Sequence, residues 1–189
     1  MALEFSIPVI INTGLIKDSL RYEAGKLGIP VIAYEAGEAL RIQERAVVTG
    51  VRAIMSVRGS LGMLPHRQMR TVRAEPYIAQ SSARFRAPTD GLFRPFVKLG
   101  ARVEAGDKLG TISRPFSSDE TVLQASADGI VICIHKLPLV NEGEAPFHIA
   151  QFEKSAAMEV EIAAHESIIR DDRLYENGEL RSGPDEVDA

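Results

Sequence analysis

The stretch Gly28-Ile29-Pro30-Val31-Ile32-Ala33-Tyr34-Glu35-Ala36-Gly37 decides how the rest of the chain is read. Its short apolar run is rich in β-branched residues (Ile29, Val31, Ile32), contains Pro30 near its start and closes on Tyr34, Glu35, Ala36 and Gly37. Such a run predicts a buried strand ending in a polar turn. Glu35 then stands at a strand's carboxyl end, the edge at which open α/β sheets bind ligands. On the residues alone, Glu35 is either a functional carboxylate or a charge that caps the strand in water.

Upstream, residues 6–11 are apolar and β-branched and predict a short strand, broken by Asn12, Thr13 and Gly14. Asp18 or Ser19 caps a helix running through Lys26, in which Leu20, Ala24 and Leu27 recur at helical spacing and Gly28 supplies the left-handed stop. Downstream, a second helix is predicted from about residue 43 to 59. There Val47, Val51, Ile54 and Met55 form one apolar stripe, with Arg45, Arg52 and Arg58 off it. The order strand, helix, strand, helix belongs to a parallel or mixed sheet with helices packed on it. Two strands leave a sheet edge and apolar helix surface uncovered, so residues 1–64 read as part of an α/β domain completed by something upstream or by another chain.

Residues 65–76 turn polar and basic (His66-Arg67-Gln68-Met69-Arg70) and read as a linker. Past Tyr77, turn signals recur between short alternating runs, at Asp90-Gly91, Leu99-Gly100, Gly106-Asp107 and Asp128-Gly129, and predict a small all-β domain over residues 77–152. It contains a repeat. Ala87-x-x-Asp90-Gly91-Leu92-Phe93 matches Ala125-x-x-Asp128-Gly129-Ile130-Val131 at an offset of 38 residues, from 87 to 125. Val103-x-x-Gly106-Asp107, followed by Ile112, matches Val140-x-x-Gly143-Glu144, followed by Ile149, at an offset of 37, from 103 to 140. Two related halves of this size predict a sandwich of two similar units around one core. Residues 153–189 form an extension whose acidic part, from Glu166 on, is expected to be extended or partly disordered. The fold class is therefore α/β plus all-β.

Composition narrows the function classes. The 189 residues are 45% hydrophobic, enough to fill a core, and carry a net charge of −4 with Lys and Arg scattered rather than striped. Neither a nucleic acid nor an anionic membrane is an expected partner. The single Cys133 leaves no internal disulfide framework and fits a reducing compartment. No segment reaches the roughly 18 apolar residues of a membrane span. A cytoplasmic location is expected.

The second half resembles the biotinyl and lipoyl carrier domains, but the segment between its two units, residues 113–122, contains no lysine to carry a cofactor. His66, His135, His148 and His165 show no zinc-type spacing with other ligands, so no metal ligand is assigned in this chain. Cys133 and His135 share one strand face and read as a core thiol beside a surface imidazole. There is no phosphate-binding Gly-rich loop and no nucleophile elbow.

Taken together, Ser19-Leu20-Arg21-x-x-Ala24, then Gly28-Ile29-Pro30-Val31-Ile32-x-Tyr34-Glu35-Ala36-Gly37-Glu38, then Leu61-Gly62-Met63 and the carrier-like sandwich resemble the carboxyl-terminal half of the succinylglutamate desuccinylase/aspartoacylase family. The resemblance covers residues from about 5 to 150 and implies a partial carboxypeptidase-like α/β sheet domain followed by a β barrel-sandwich domain. It also implies a zinc-dependent hydrolase acting on the amide bond of a small N-acyl amino acid, with Glu35 as general base. A carboxylate in that role takes a proton from metal-activated water and returns it to the leaving amine. Arg21 and Arg41 flank the motif and are candidate clamps for a substrate carboxylate, or solvated helix-face charges. Glu38 reads as a cap of the following helix. The family's zinc ligands lie in the half preceding this segment, so the chain alone is expected not to hydrolyse amides. It is expected to self-associate or to associate with the missing catalytic half. The alternative is a non-catalytic assembly protein built on the β-sandwich.

Overall fold

The computed structural model describes residues 1–64 and 76–152, together with the backbone of 175–176 and 179–180. A single 3-10 turn, Leu3–Phe5, precedes strand β1 (Val9–Ile11), helix α1 (Leu20–Lys26) and helix α2 (Glu44–Ser60). Ser19 caps α1, its hydroxyl accepting a hydrogen bond from the Tyr22 N–H at 3.2 Å. Both helices fall where apolar spacing placed them.

The stretch at residues 29–36 is not a strand. Among the described residues no strand pairs with it, and a β-branched run becomes a strand only when a neighbour completes its hydrogen-bond ladder. Pro30 cannot donate to such a ladder. Ile29, expected to be buried, is 54% exposed. Glu35 consequently does not sit at a strand's carboxyl end.

A parallel pair is nevertheless present. β1 pairs in parallel with β2 (Tyr77–Ala79), in the register Val9 to Tyr77, Ile10 to Ile78 and Ile11 to Ala79. The partner of the first strand thus comes from beyond the basic stretch, of which residues 65–75 lie outside the described residues, as does His66. Helix α2 buries only Gly50 and Ala53, while Val47, Val51, Ile54 and Met55 on its apolar stripe are each between 40% and 53% exposed.

From residue 81 the chain forms β3 (Ser81–Phe85), β4 (Gly91–Pro95), β5 (Arg102–Val103), β6 (Lys108–Ser113), β7 (Glu120–Gln124), β8 (Gly129–Ile134), β9 (Leu139–Val140) and β10 (Phe147–Gln151). They make two four-stranded antiparallel sheets, in the orders β3-β10-β8-β5 and β7-β6-β4-β9. The sequence repeat explains that order. Replacing each strand by its counterpart in the other half (β3 by β7, β4 by β8, β5 by β9, β6 by β10) turns one sheet into the other. Phe93, Leu109, Ile112, Leu123 and Val140 from one sheet, and Val103, Val131, Ile134, Phe147 and Ile149 from the other, fill one core.

The locks between the halves repeat as well. The Asp128 carboxylate accepts the Ala105 N–H at 2.9 Å, and its counterpart Asp90 accepts the Glu142 N–H. Within each half a turn repeats too: Asp107 accepts from Glu104 N–H at 2.8 Å, as Glu144 does from Asn141 N–H at 2.9 Å. Gly91 and Gly129 open equivalent strands because a Cβ there would strike the carbonyls of Ser113 and Ala150. Beyond these strands, Tyr175–Glu176 pairs antiparallel with Glu179–Leu180. The remainder of the acidic tail, with His165, lies outside the described residues.

Candidate functional site around Glu35

The backbone around Glu35 is held through its neighbour. Tyr34 packs its ring against Phe5, with centroids 5.3 Å apart, and donates its hydroxyl proton to the Ala46 carbonyl on α2 at 3.0 Å. The same ring occupies the space over Gly50, where a Cβ would lie 2.9 Å from Tyr34 Cε1. A glycine in a helix interior normally weakens it; here it makes room for the anchor. Burial pushes the Tyr34 hydroxyl pKa up. Gly37, at φ 91°, then turns the chain toward α2. A segment without a ladder is thus pinned to a helix by one aromatic side chain, leaving Glu35 exposed.

Arg21, in the first turn of α1, is partly buried. Its guanidinium donates to Thr13 Oγ1 and to the Thr13 carbonyl, both at 3.4 Å, while its buried Nε has no partner. Arg41 is exposed and follows Leu40, a non-glycine residue at φ 63°. The turn is closed by the Arg41 N–H on the Glu38 carbonyl at 3.4 Å. Glu38 accepts the Gln43 side-chain amide at 3.2 Å, so it steadies the residue that precedes α2. Among the described residues no ion pair joins Glu35 to Arg21 or Arg41.

The Glu35 charge acts weakly on a residue from far along the chain, His148. His148 lies on β10 between Phe147 and Ile149, both fully buried in the core, so strand alternation turns it to the sheet's outer face. Arg84 on β3 stands opposite His148 in the ladder, and Cys133 on β8 is its neighbour on the other side. The imidazole Nε2 lies 2.9 Å from Ser82 Oγ. Burial and the adjacent Arg84 cation hold the His148 pKa below its ordinary value near 6.5, and the Glu35 carboxylate partly opposes them. In the sequence, His148 shows no spacing to other ligands and no sign of a further role. Its outward position was legible from the Phe-His-Ile alternation, but nothing local linked it to Glu35.

Among the described residues, no three His, Cys, Asp or Glu side chains cluster so as to hold a metal ion. Cys133 is exposed, and the His135 ring instead lies 3.2 Å from the Leu139 carbonyl. A cavity of about 350 Å³ opens between the β4–β5 and β8–β9 loops, lined by Phe93, Leu99, Ile134, Leu137, Lys98 and Lys136 among others. Neither Glu35 nor the two candidate arginines line it.

No protein-family model matches the sequence, and no curated relative matches it. Solved structures do. The apo structure of the ectoine utilization protein EutE (DoeB) from Ruegeria pomeroyi matches with a TM-score of 0.70 at 20% identity, over 79% of this chain and 48% of that one. The succinylglutamate desuccinylase/aspartoacylase from Rhodobacter sphaeroides matches with a TM-score of 0.66 at 21% identity, over 82% and 48%. A succinylglutamate desuccinylase from Silicibacter sp. TM1040 gives 0.62 at 18%, over 79% and 47%. The likeness is one of fold, and the chain spans about half the length of the structures it matches.

Proposed function

We propose that this chain forms part of a hydrolase of the succinylglutamate desuccinylase/aspartoacylase type, which cleaves the amide bond of a small N-acyl amino acid. The observation that carries the reading is the fold likeness to those enzymes over 79–82% of the chain. In this reading residues 1–64 belong to a carboxypeptidase-like α/β domain, residues 77–152 are a barrel-sandwich domain of the carrier-related kind, and the protein is cytoplasmic. Among the described residues no helix is long and apolar enough to cross a membrane.

Glu35 is the proposed general base. An exposed carboxylate on an anchored segment can accept a proton from an attacking water and return it to the leaving amine. Arg41, exposed, and Arg21, with one guanidinium nitrogen unpartnered, are proposed carboxylate contacts. Zinc is the metal such a hydrolase implies, and the described residues do not fit it, since no three ligands converge. In this reading no step runs through zinc.

The test is hydrolysis of short N-acyl amino acids by the purified chain with added zinc. No turnover is expected. Zinc-dependent turnover that disappears in Glu35→Gln would overturn the proposed inactivity of the isolated chain, and turnover untouched by Glu35→Gln would overturn the role of Glu35. The half-exposed apolar stripe of α2 favours a second reading, a non-catalytic assembly protein.

A further inference from the structure

We infer that the cavity between the β4–β5 and β8–β9 loops is a binding site for a small aliphatic carboxylate, its chain on the apolar floor and its acid group held by Lys98 and Lys136. The cavity includes neither Glu35 nor the two candidate arginines, so the inference is independent of the hydrolase reading.

The two loops are counterparts in the internal repeat. At the offset of 38 residues, Lys98-Leu99 falls on Lys136-Leu137 and Val97 falls on His135. Each loop is fastened to a strand of the other half. The Phe93 N–H on β4 donates to the Pro138 carbonyl at 2.7 Å, and its counterpart, the Val131 N–H on β8, donates to the Ala101 carbonyl at 2.9 Å. The strand ends are tied in a matching way, Phe96 N–H to the Leu109 carbonyl and His135 N–H to the Pro146 carbonyl, both at 2.8 Å. The repeat therefore brings one lysine and one leucine from each loop to a single cavity, and backbone hydrogen bonds fix its frame before any ligand arrives.

The lining is apolar below and cationic above. Phe93 and Ile134 reach the cavity from the buried core, while Leu99 and Leu137 are 57% and 59% exposed and offer apolar surface that a ligand chain would cover. The His135 ring stands edge-on to Phe93, with centroids 6.4 Å apart, and its Nε2 is taken up by the Leu139 carbonyl at 3.2 Å, so it serves as a fixed wall. Lys98 and Lys136 are exposed and, among the described residues, make no ion pair. No acidic residue is among those lining the cavity. Glu144, whose charge interacts with His135, is engaged with the Asn141 N–H and side-chain amide. A lysine lays its stem on apolar surface while its ammonium stays in water, and two ammonium groups can turn toward one carboxylate. The volume of about 350 Å³ lies at the small end of the roughly 300–1,000 Å³ of ligand pockets, which suits a short chain. A neutral chain would leave both cations unused, and a bare anion would leave the apolar walls unused. An aliphatic carboxylate uses both.

The experiment is an NMR titration of the full chain with sodium octanoate, following the methyl resonances of Leu99 and Leu137, with 1-octanol and sodium acetate at matched ionic strength as controls. Expected are a saturable shift of both leucines with octanoate and weaker binding of either control. Lys98→Gln and Lys136→Gln should each weaken octanoate binding about two- to fivefold and their combination about tenfold, whereas Lys→Arg at either position should retain most of it. Both lysines are exposed, so their replacement leaves the fold intact, which an unchanged circular dichroism spectrum checks. Octanol binding as tightly as octanoate would mean that the lysines hold no acid group. Acetate binding as tightly would mean that the apolar floor is not used, and unchanged affinity in the double variant would mean that the acid group lies elsewhere. Each of these results overturns the inference, as does the absence of any saturable shift with octanoate.

Discussion

Replacing Gly50 by alanine should weaken the fold, although the substitution improves the helix. Gly50 lies inside α2, where alanine is favoured over glycine by about 1 kcal/mol. The new Cβ would sit 2.9 Å from Tyr34 Cε1 and 3.3 Å from Cδ1. The ring cannot simply swing aside, because its hydroxyl is bonded to the Ala46 carbonyl at 3.0 Å and its face is set against Phe5. Displacing it forfeits about 1 kcal/mol for the hydrogen bond and about 0.5–1.5 kcal/mol for the aromatic pair. Keeping it in place costs a similar amount in overpacking, about 1–3 kcal/mol. Set against the helix gain, the net loss is about 1 kcal/mol. In a Tyr34→Ala background the obstacle is gone, and Gly50→Ala should stabilise by about 1 kcal/mol. The sign reverses, with a coupling of about 2 kcal/mol. Urea unfolding of the four members of the cycle, followed by the helical circular dichroism signal, measures it. Stabilisation by Gly50→Ala in the wild-type background, or the same effect in both, would refute the idea that Tyr34 anchors the Glu35 segment through Gly50.

Two further outcomes follow from the other observations. The His148 pKa is depressed in the folded state, so between that value and about 6.5 the unfolded chain binds more protons; stability is full above about pH 6.5 and declines as pH falls through the window. His148→Gln should flatten this part of the pH–stability curve and Glu35→Gln should widen the window, which chemical denaturation across pH 4.5–7.5, as an approximate range, would reveal. Asp128→Ala and Asp90→Ala each remove one carboxylate from a lock between the halves, and each should cost about 1–2 kcal/mol with near-additive effects in thermal unfolding. Strong non-additivity would mean that the two locks do not act independently.

The β domain was legible because its information is local and doubled. Asp-Gly turns at 90–91 and 128–129 fix where strands start, and the offset of 38 residues, from 87 to 125, announces two units whose exchange generates both sheets. The helices were legible from a cap and an apolar period, Ser19 above all. The opening stretch misled for a physical reason. Val31 and Ile32 state a preference for extended backbone, but a strand needs a partner, and a preference confers none. In the described structure β1 takes β2 instead, and residues 29–36 are fastened by Tyr34.

The site illustrates the same limit at longer range. Glu35, Arg21 and Arg41 are neighbours in sequence, and that proximity suggested a shared task, yet Arg21 is engaged with Thr13 and no ion pair joins Arg41 to Glu35 among the described residues. Arg84 and His148 are brought together across β3 and β10 by register rather than by spacing. A pattern along the chain reports what one element can bury; it does not report which face of another element will be opposite. Alternation alone places His148 outward, while the segment around Glu35 is held separately by the α2 anchor. Against burial and the Arg84 cation, the Glu35 carboxylate raises the His148 pKa, so a shift of the anchored segment reaches that imidazole through charge alone. If Gly50→Ala shifts Tyr34, the His148 resonance should move with it, although Gly50 and His148 belong to different parts of the fold.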